Sequence, residues 1–228
     1  MTVFQFVLKR SFRNVTNLIF LTLFPAACIF LPQGDPWPLL PYGYQFFGIL
    51  LLFVSIRLTL NIQADRATGV MKRLSVAPLS HFRYLSQNLL AYLLIIAAQC
   101  TLVVYGGVLY GQPLYQPFLL LILYISYSLA ALAVALAWVS FFRNKDVAFF
   151  GFVSLVFLVA VLGGLMIPVS MFPEWLARIA VLFPTYWLAE GQNWIVFGGK
   201  SGEFLFVNVI LWIYAIVFMI IGSMRKIH

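Results

Sequence analysis

A chain of 228 residues that is 64% apolar and 9% charged is not a water-soluble domain, which would carry roughly a quarter of its residues charged. There is too little polar surface to cover such a core in water. The net charge of +8 does not point to nucleic acid either, because the basic residues fall in short stretches between apolar runs and no groove-reading element is present.

A bilayer accommodates the composition at about 20 apolar residues per helical span. Residues 2–14 read first, as a short amphipathic helix. Phe4, Val7, Leu8 and Phe12 share one face, and Gln5, Lys9 and Arg13 share another. The first span is expected from Val15 to Leu31, kinked at Pro25. A turn of breakers follows, Gln33 to Pro38, then a second span from Tyr44 to Leu60 with Arg57 near its inner end, able to snorkel to the head groups. The polar segment Asn61 to Arg83 leads to a third span, Tyr84 to Tyr105, and a turn, Gly106 to Gln116. The fourth span is Phe118 to Phe141, the tight polar loop Arg143 to Asp146 follows, and the fifth span is Val147 to Ile167.

Prolines 168, 173 and 184 then break the rhythm. Only about ten residues lie between Pro173 and Pro184, too few to cross a bilayer. Pro173 suits the first helical position, Glu174 and Arg178 are spaced by four, and a second short helix, Tyr186 to Phe197, ends at Gly198-Gly199. Residues 168–199 are read as a re-entrant hairpin in the outer leaflet, covered by protein or a water-filled cavity. The last span is Phe204 to Ile221. The expected fold is therefore an all-α integral membrane protein: one transmembrane domain over 1–228, with six spans, the N-terminal interfacial helix, and the hairpin between spans five and six.

With both termini in the cytoplasm, the inner stretches hold 12 of the 14 basic residues, and the outer stretches hold four of the six acids, Asp35, Glu174, Glu190 and Glu203. Basic residues favour the inner side, so this orientation is the expected one, in the cell membrane.

Several motifs fail on inspection. Gly198-Gly199-Lys200-Ser201 has Trp194 where a phosphate-binding loop needs its first glycine. Pro25 spoils the lipoprotein-like segment ending at Cys28, and Cys28 and Cys100 read as buried apolar residues. The histidines, His81 and His228, and the aspartates at 65 and 146 fall at loops, which leaves no intramembrane protease site and no metal-ligand spacing. No catalytic residue, metal site or cofactor is expected in this chain. Glu190, an ionisable group near membrane depth, is a functional candidate, with pairing to Arg178 as the structural alternative.

The segment 61–83 can form a short helix that ends before Pro78, with Met71, Leu74 and Ser75 on one face and Arg66 and Arg73 offered to the cytoplasm. Asp65-Arg66, Gly69, Arg73-Leu74 and Pro78 resemble the first cytoplasmic loop of type-2 ABC exporter permeases. Gly163 to Pro168, Phe172 to Leu176, Phe183 to Thr185, and Glu190 resemble the fifth helix and outer hairpin of the same family. The two blocks cover about a quarter of the chain; Val70 and Lys72 depart from the threonine and glutamate common in the family. The resemblance implies a permease dimer, a homodimer or a pair with a paralogous permease, coupled to separate cytoplasmic ATPase subunits that bind the ATP and Mg. It implies that Asp65, Arg66, Gly69, Met71, Lys72, Arg73, Leu74 and Pro78 form the coupling element. The loop at 143–146 would be a smaller contact. The hairpin residues Pro168, Pro173, Glu174, Trp175, Arg178, Pro184, Tyr186, Trp187 and Glu190 would form the outer lid or gate. Asn17, Phe47, Phe53 and Phe157 are candidates to line a pathway between spans one, two and five. Export of amphiphilic drugs, antibiotics or lipids is the expected function. A lipid-linked polymer exporter, and a passive channel or scaffold, are the alternatives.

Overall fold

The computed structural model describes residues 3–13, 15–34, 39–67, 81–142 and 144–224, and among these the secondary structure is entirely helical. Helix α1 is Val3–Arg13, α2 is Val15–Ile29, α3 is Tyr42–Gln45 and α4 is Phe47–Ala67. Then come α5 (His81–Tyr110), α6 (Pro117–Phe141) and α7 (Lys145–Leu162). A 3-10 turn (Val169–Met171) and the short α8 (Glu174–Ala180) and α9 (Pro184–Phe197) precede α10 (Ser201–Met224). Among the described residues five helices, α4, α5, α6, α7 and α10, are long and apolar enough to cross a membrane.

Helix α6 is the central post, packed against α4, α5, α9 and α10. Its sequence explains why. Ala130, Ala131, Ala133, Ala135 and Ala137 are all buried, and small side chains let neighbouring backbones approach closely. Gly222 of α10 uses this directly: a Cβ there would sit 3.3 Å from the Ala137 backbone. Of the most apolar stretch, 67% is buried within the chain in α4 and α6 but 28% in α7 and α10. The outer pair therefore leaves most of its apolar surface for lipid or another chain.

Hydrogen bonds define two ends of the bundle. At the proximal end, Arg10 meets Asp65, Tyr84 donates to Asp65, and Gln63 Nε2 donates to Phe142 O at 2.8 Å, covering a carbonyl beyond the last turn of α6. At the distal end, Gln112 Nε2 donates to Ile29 O at 2.7 Å, and Tyr44 lies against Val103, Tyr124 and Gln192. Helix α1 thus lies at the proximal end and the C-terminal end of α2 at the distal end. Helix α2 has 15 residues and continues through Pro25, for a length of about 22 Å.

The elements follow the expected order, with differences at their ends. Helix α2 stops at Ile29, two residues before the expected Leu31, and the second span is broken between Gln45 and Phe47. Four more differences concern α4, α5, α7 and α8. Helix α4 does not stop at Leu60 but runs to Ala67, so Arg57 lies ten residues short of its end and is not a terminal snorkelling residue. The polar residues after Leu60 continue the helix because they find partners, Gln63 on α6 and Asp65 on α1 and α5. Helix α5 passes through Gly106 and Gly107, where a turn was expected. A Cβ at Gly107 would overlap the Tyr44 hydroxyl, and one at Gly106 would press on Ile29, so these glycines admit close packing. The chain reverses instead at Gly111, with φ +87°. Helix α7 ends at Leu162, five residues early: the N–H groups of Gly163 and Leu165 close on Val159 and Ala160, and Gly164 takes φ +83°. Finally, Pro173 caps α8 from outside and is not its first helical residue.

Candidate functional site

At the proximal end a polar cluster joins three helices. Arg10 on α1 forms an ion pair with Asp65 on α4, and its second amine reaches the Tyr92 hydroxyl on α5 at 3.5 Å. The Tyr84 hydroxyl donates to the other Asp65 oxygen at 3.1 Å, and the Phe6 ring lies under the guanidinium at 5.5 Å. A carboxylate with side-chain exposure of 12% would be costly without these partners. Asp65 thus holds α1 to the root of the segment between α4 and α5. Arg66 is helical, and its side chain lies outside the described residues, as do Gly69, Met71, Lys72, Arg73, Leu74 and Pro78. The segment between Ala67 and His81 therefore springs from two helices that this cluster ties together.

The sequence reading did not single out Arg10, Tyr84 or Tyr92. Arg10 sits three residues from buried Val7 and four from Phe6, away from the polar stripe of Gln5, Lys9 and Arg13, and that offset was the available signal. The expected apolar face is correspondingly rotated: Val7 and Ser11 are buried, whereas Phe12 is exposed. In the smaller proximal loop, the Asn144 side chain caps α7 by accepting from Asp146 N at 2.8 Å and Val147 N at 3.4 Å.

At the distal end, the break between α3 and α4 frees the Tyr44 carbonyl from the helical ladder. Tyr124 Oη donates to it at 2.7 Å and Gln192 Nε2 at 3.2 Å, while the Tyr44 hydroxyl donates to Val103 O at 3.2 Å. Helix α9 is anchored here. Pro184 opens it, Thr185 Oγ1 donates to Val159 O at 2.7 Å, and Leu188, Ala189, Gln192 and Ile195 are buried. Its other face carries Tyr186 and Trp187, whose rings meet edge to face at 5.2 Å, and Glu190. Burial pushes the Glu190 carboxyl above its ordinary range. Arg178 pairs with exposed Glu174 at 4.0 Å, so the alternative of a Glu190–Arg178 pair is not realised. Pro168 precedes the 3-10 turn, and Trp175 on α8 is 64% exposed. Gly198 N–H bonds to Trp194 O at 2.8 Å, closing α9; the glycine pair is a helix end, as expected.

The pathway candidates separate. Phe47 is buried in the chain's own core, with its ring 5.1 Å from that of Tyr124. Phe53 on α4 and Phe157 on α7 meet edge to face at 6.4 Å, and Phe157 is exposed. Phe53 belongs to a half-buried stripe on α4, Leu50, Phe53, Arg57, Asn61 and Ala64, at spacings of three and four. The side chain of Asn17 lies outside the described residues.

Among the described residues, four long apolar helices beside the alanine-rich α6, with polar groups gathered at the two ends, define a multi-pass integral membrane protein. Within that class, a family model described as ABC-2 family transporter protein matches residues 39–224, from before α3 to the end of α10, and the chain belongs to that family. It is accordingly a transmembrane component of an ABC transporter, a setting that implies an ATPase partner, and is not itself the catalytic component. A search of curated proteins found no match.

Proposed function

We propose that this chain is the permease subunit of an ATP-driven exporter that moves amphiphilic small molecules, such as drugs, antibiotics or lipids, out of the cytoplasm or inner leaflet. The observation that carries the reading is the family match over 39–224. The proximal end faces the cytoplasm, an orientation supported by the basic residues concentrated there. Helix α2, whose C-terminal end lies at the distal end, is the sixth span, and α8 and α9 form the outer re-entrant hairpin. The segment between α4 and α5 docks on cytoplasmic ATPase subunits, which bind the ATP and Mg. A second permease, identical or paralogous, covers apolar surface that the chain leaves open. Phe53 and Phe157, on the open faces of α4 and α7, are the aromatic residues placed to meet an amphiphile.

Reversing the charge at Arg73 tests the docking. Arg73→Glu is expected to reduce transport at least about fivefold relative to ATP hydrolysis in reconstituted vesicles, the effect of one lost charge-assisted contact. Normal coupling in that variant would remove the docking element, and transport without any ATPase would establish a passive channel. Orientation has its own test: Trp175→Cys should react with a membrane-impermeant maleimide added outside intact cells. Reaction confined to inside-out vesicles would invert the topology.

A further inference from the structure

A cleft of about 510 Å³ opens between α9 and the start of α10. Tyr186, Trp187, Trp194 and Phe197 line it from α9, and Phe206 closes it from α10. Trp187 and Phe206 stand edge to face at 5.7 Å across the two helices. Two carboxylates, Glu190 and Glu203, share this aromatic wall, and no lysine or arginine lines it.

Interfacial preference accounts for tyrosine and tryptophan at this level, but it does not account for acids among them. The dipole of α10 favours Glu203 in its first turn. Glu190 sits in the middle of α9 and has no such helix end beside it. Among the described residues neither carboxylate forms an ion pair. Glu190 is half-buried in a cleft with five aromatic side chains, so its carboxylate is poorly solvated there and has no countercharge among the described residues. That combination suits a large, weakly hydrated cation, whose charge is stabilised by ring faces and by a carboxylate together. Gly202 leaves the mouth open, since a Cβ there would meet nothing within 4 Å.

We infer that the α9–α10 cleft is a binding site for organic cations of the quaternary ammonium or phosphonium class, separate from any path along α4 and α7. The same chemistry is presented by a soluble amphiphilic cation and by the choline group of a lipid. Binding here needs no ATPase, so the site stands or falls independently of the export reading.

The test is equilibrium binding of tetraphenylphosphonium to the purified chain in maltoside micelles, with tetraphenylborate as the anion of equal shape. Saturable phosphonium binding without borate binding is expected. Glu190→Gln and Glu203→Gln should each weaken it roughly tenfold. Gly202→Leu, which fills the mouth from an open position, should abolish it. Glu174→Gln, on exposed α8, should leave it unchanged, and unaltered unfolding temperatures would show that the variants fold. Added phosphatidylcholine distinguishes the sources: competition identifies the lipid choline as the ligand, and its absence a soluble cation. Equal binding of phosphonium and borate, or binding indifferent to the double Glu190→Gln, Glu203→Gln change, would overturn the site.

Discussion

Asp65→Ala is expected to destabilise the protein by about 2–3 kcal/mol, because it strands the Arg10 guanidinium in a partly buried position. The full cost of orphaning a buried charge is about 3–5 kcal/mol, and the smaller figure allows for solvent at this site, where the Arg10 side chain is 24% exposed. The Tyr84 hydroxyl loses its acceptor as well. Removing both charges should do less harm than the two single changes added together. The pair Arg10→Met, Asp65→Leu leaves no unpaired ion, so a double-mutant cycle should return a coupling of about 1–2 kcal/mol. Unfolding of the purified chain in maltoside micelles measures all four corners. Strict additivity would mean that the pair contributes nothing. On the proposed coupling role the same substitution acts on function, since Asp65 and Tyr84 flank the segment between α4 and α5. Transport should then fall further than ATP hydrolysis does.

Gly43→Val should be more damaging, at about 4 kcal/mol. Any Cβ at Gly43 would overlap the backbone carbonyl of Cys28, and backbone cannot swing aside as a side chain can. Helices α2 and α3 must separate to admit it. Their separation moves Tyr44, one residue on, away from the Tyr124 hydroxyl, the Gln192 amide and the Val103 carbonyl. Overpacking accounts for about 1–3 kcal/mol and the buried polar groups left without partners for the rest. Gly202→Ala is the control: with nothing within 4 Å of its Cβ, it should stay within about 0.5 kcal/mol of the parent. If Gly43→Val behaved like the control, the close approach of α2 to α3 would not exist in solution.

The membrane class, the order of the helices and the two short helices before the last span were legible in the residues alone. Hydrophobic length is a local property of the chain, and lipid makes it decisive: backbone groups cannot be left unpaired in hydrocarbon, so a long apolar run has to be a helix. The helix end at Gly198 and the broken stretch between Pro168 and Pro184 are local in the same way. What the local signals misplaced were ends and faces. Gly106 and Gly107 looked like a turn, and became helix because Ile29 and Tyr44 needed the room. Asn61 to Asp65 looked like loop, and became helix because α1, α5 and α6 supplied partners.

The tertiary structure alone decided which polar residues are paired. Arg10 and Asp65 are 55 residues apart in the chain, and Gln192 and Tyr44 are 148 apart. No window of hydropathy or charge contains both members of such a pair. The aromatic cleft is similar, since its walls come from opposite sides of the Gly198-Gly199 turn and acquire a common interior only when α9 folds back on α10. Apolar side chains needed only lipid or one another, which the sequence pattern announces. Buried charges and carbonyls needed one particular partner, and folding brought it.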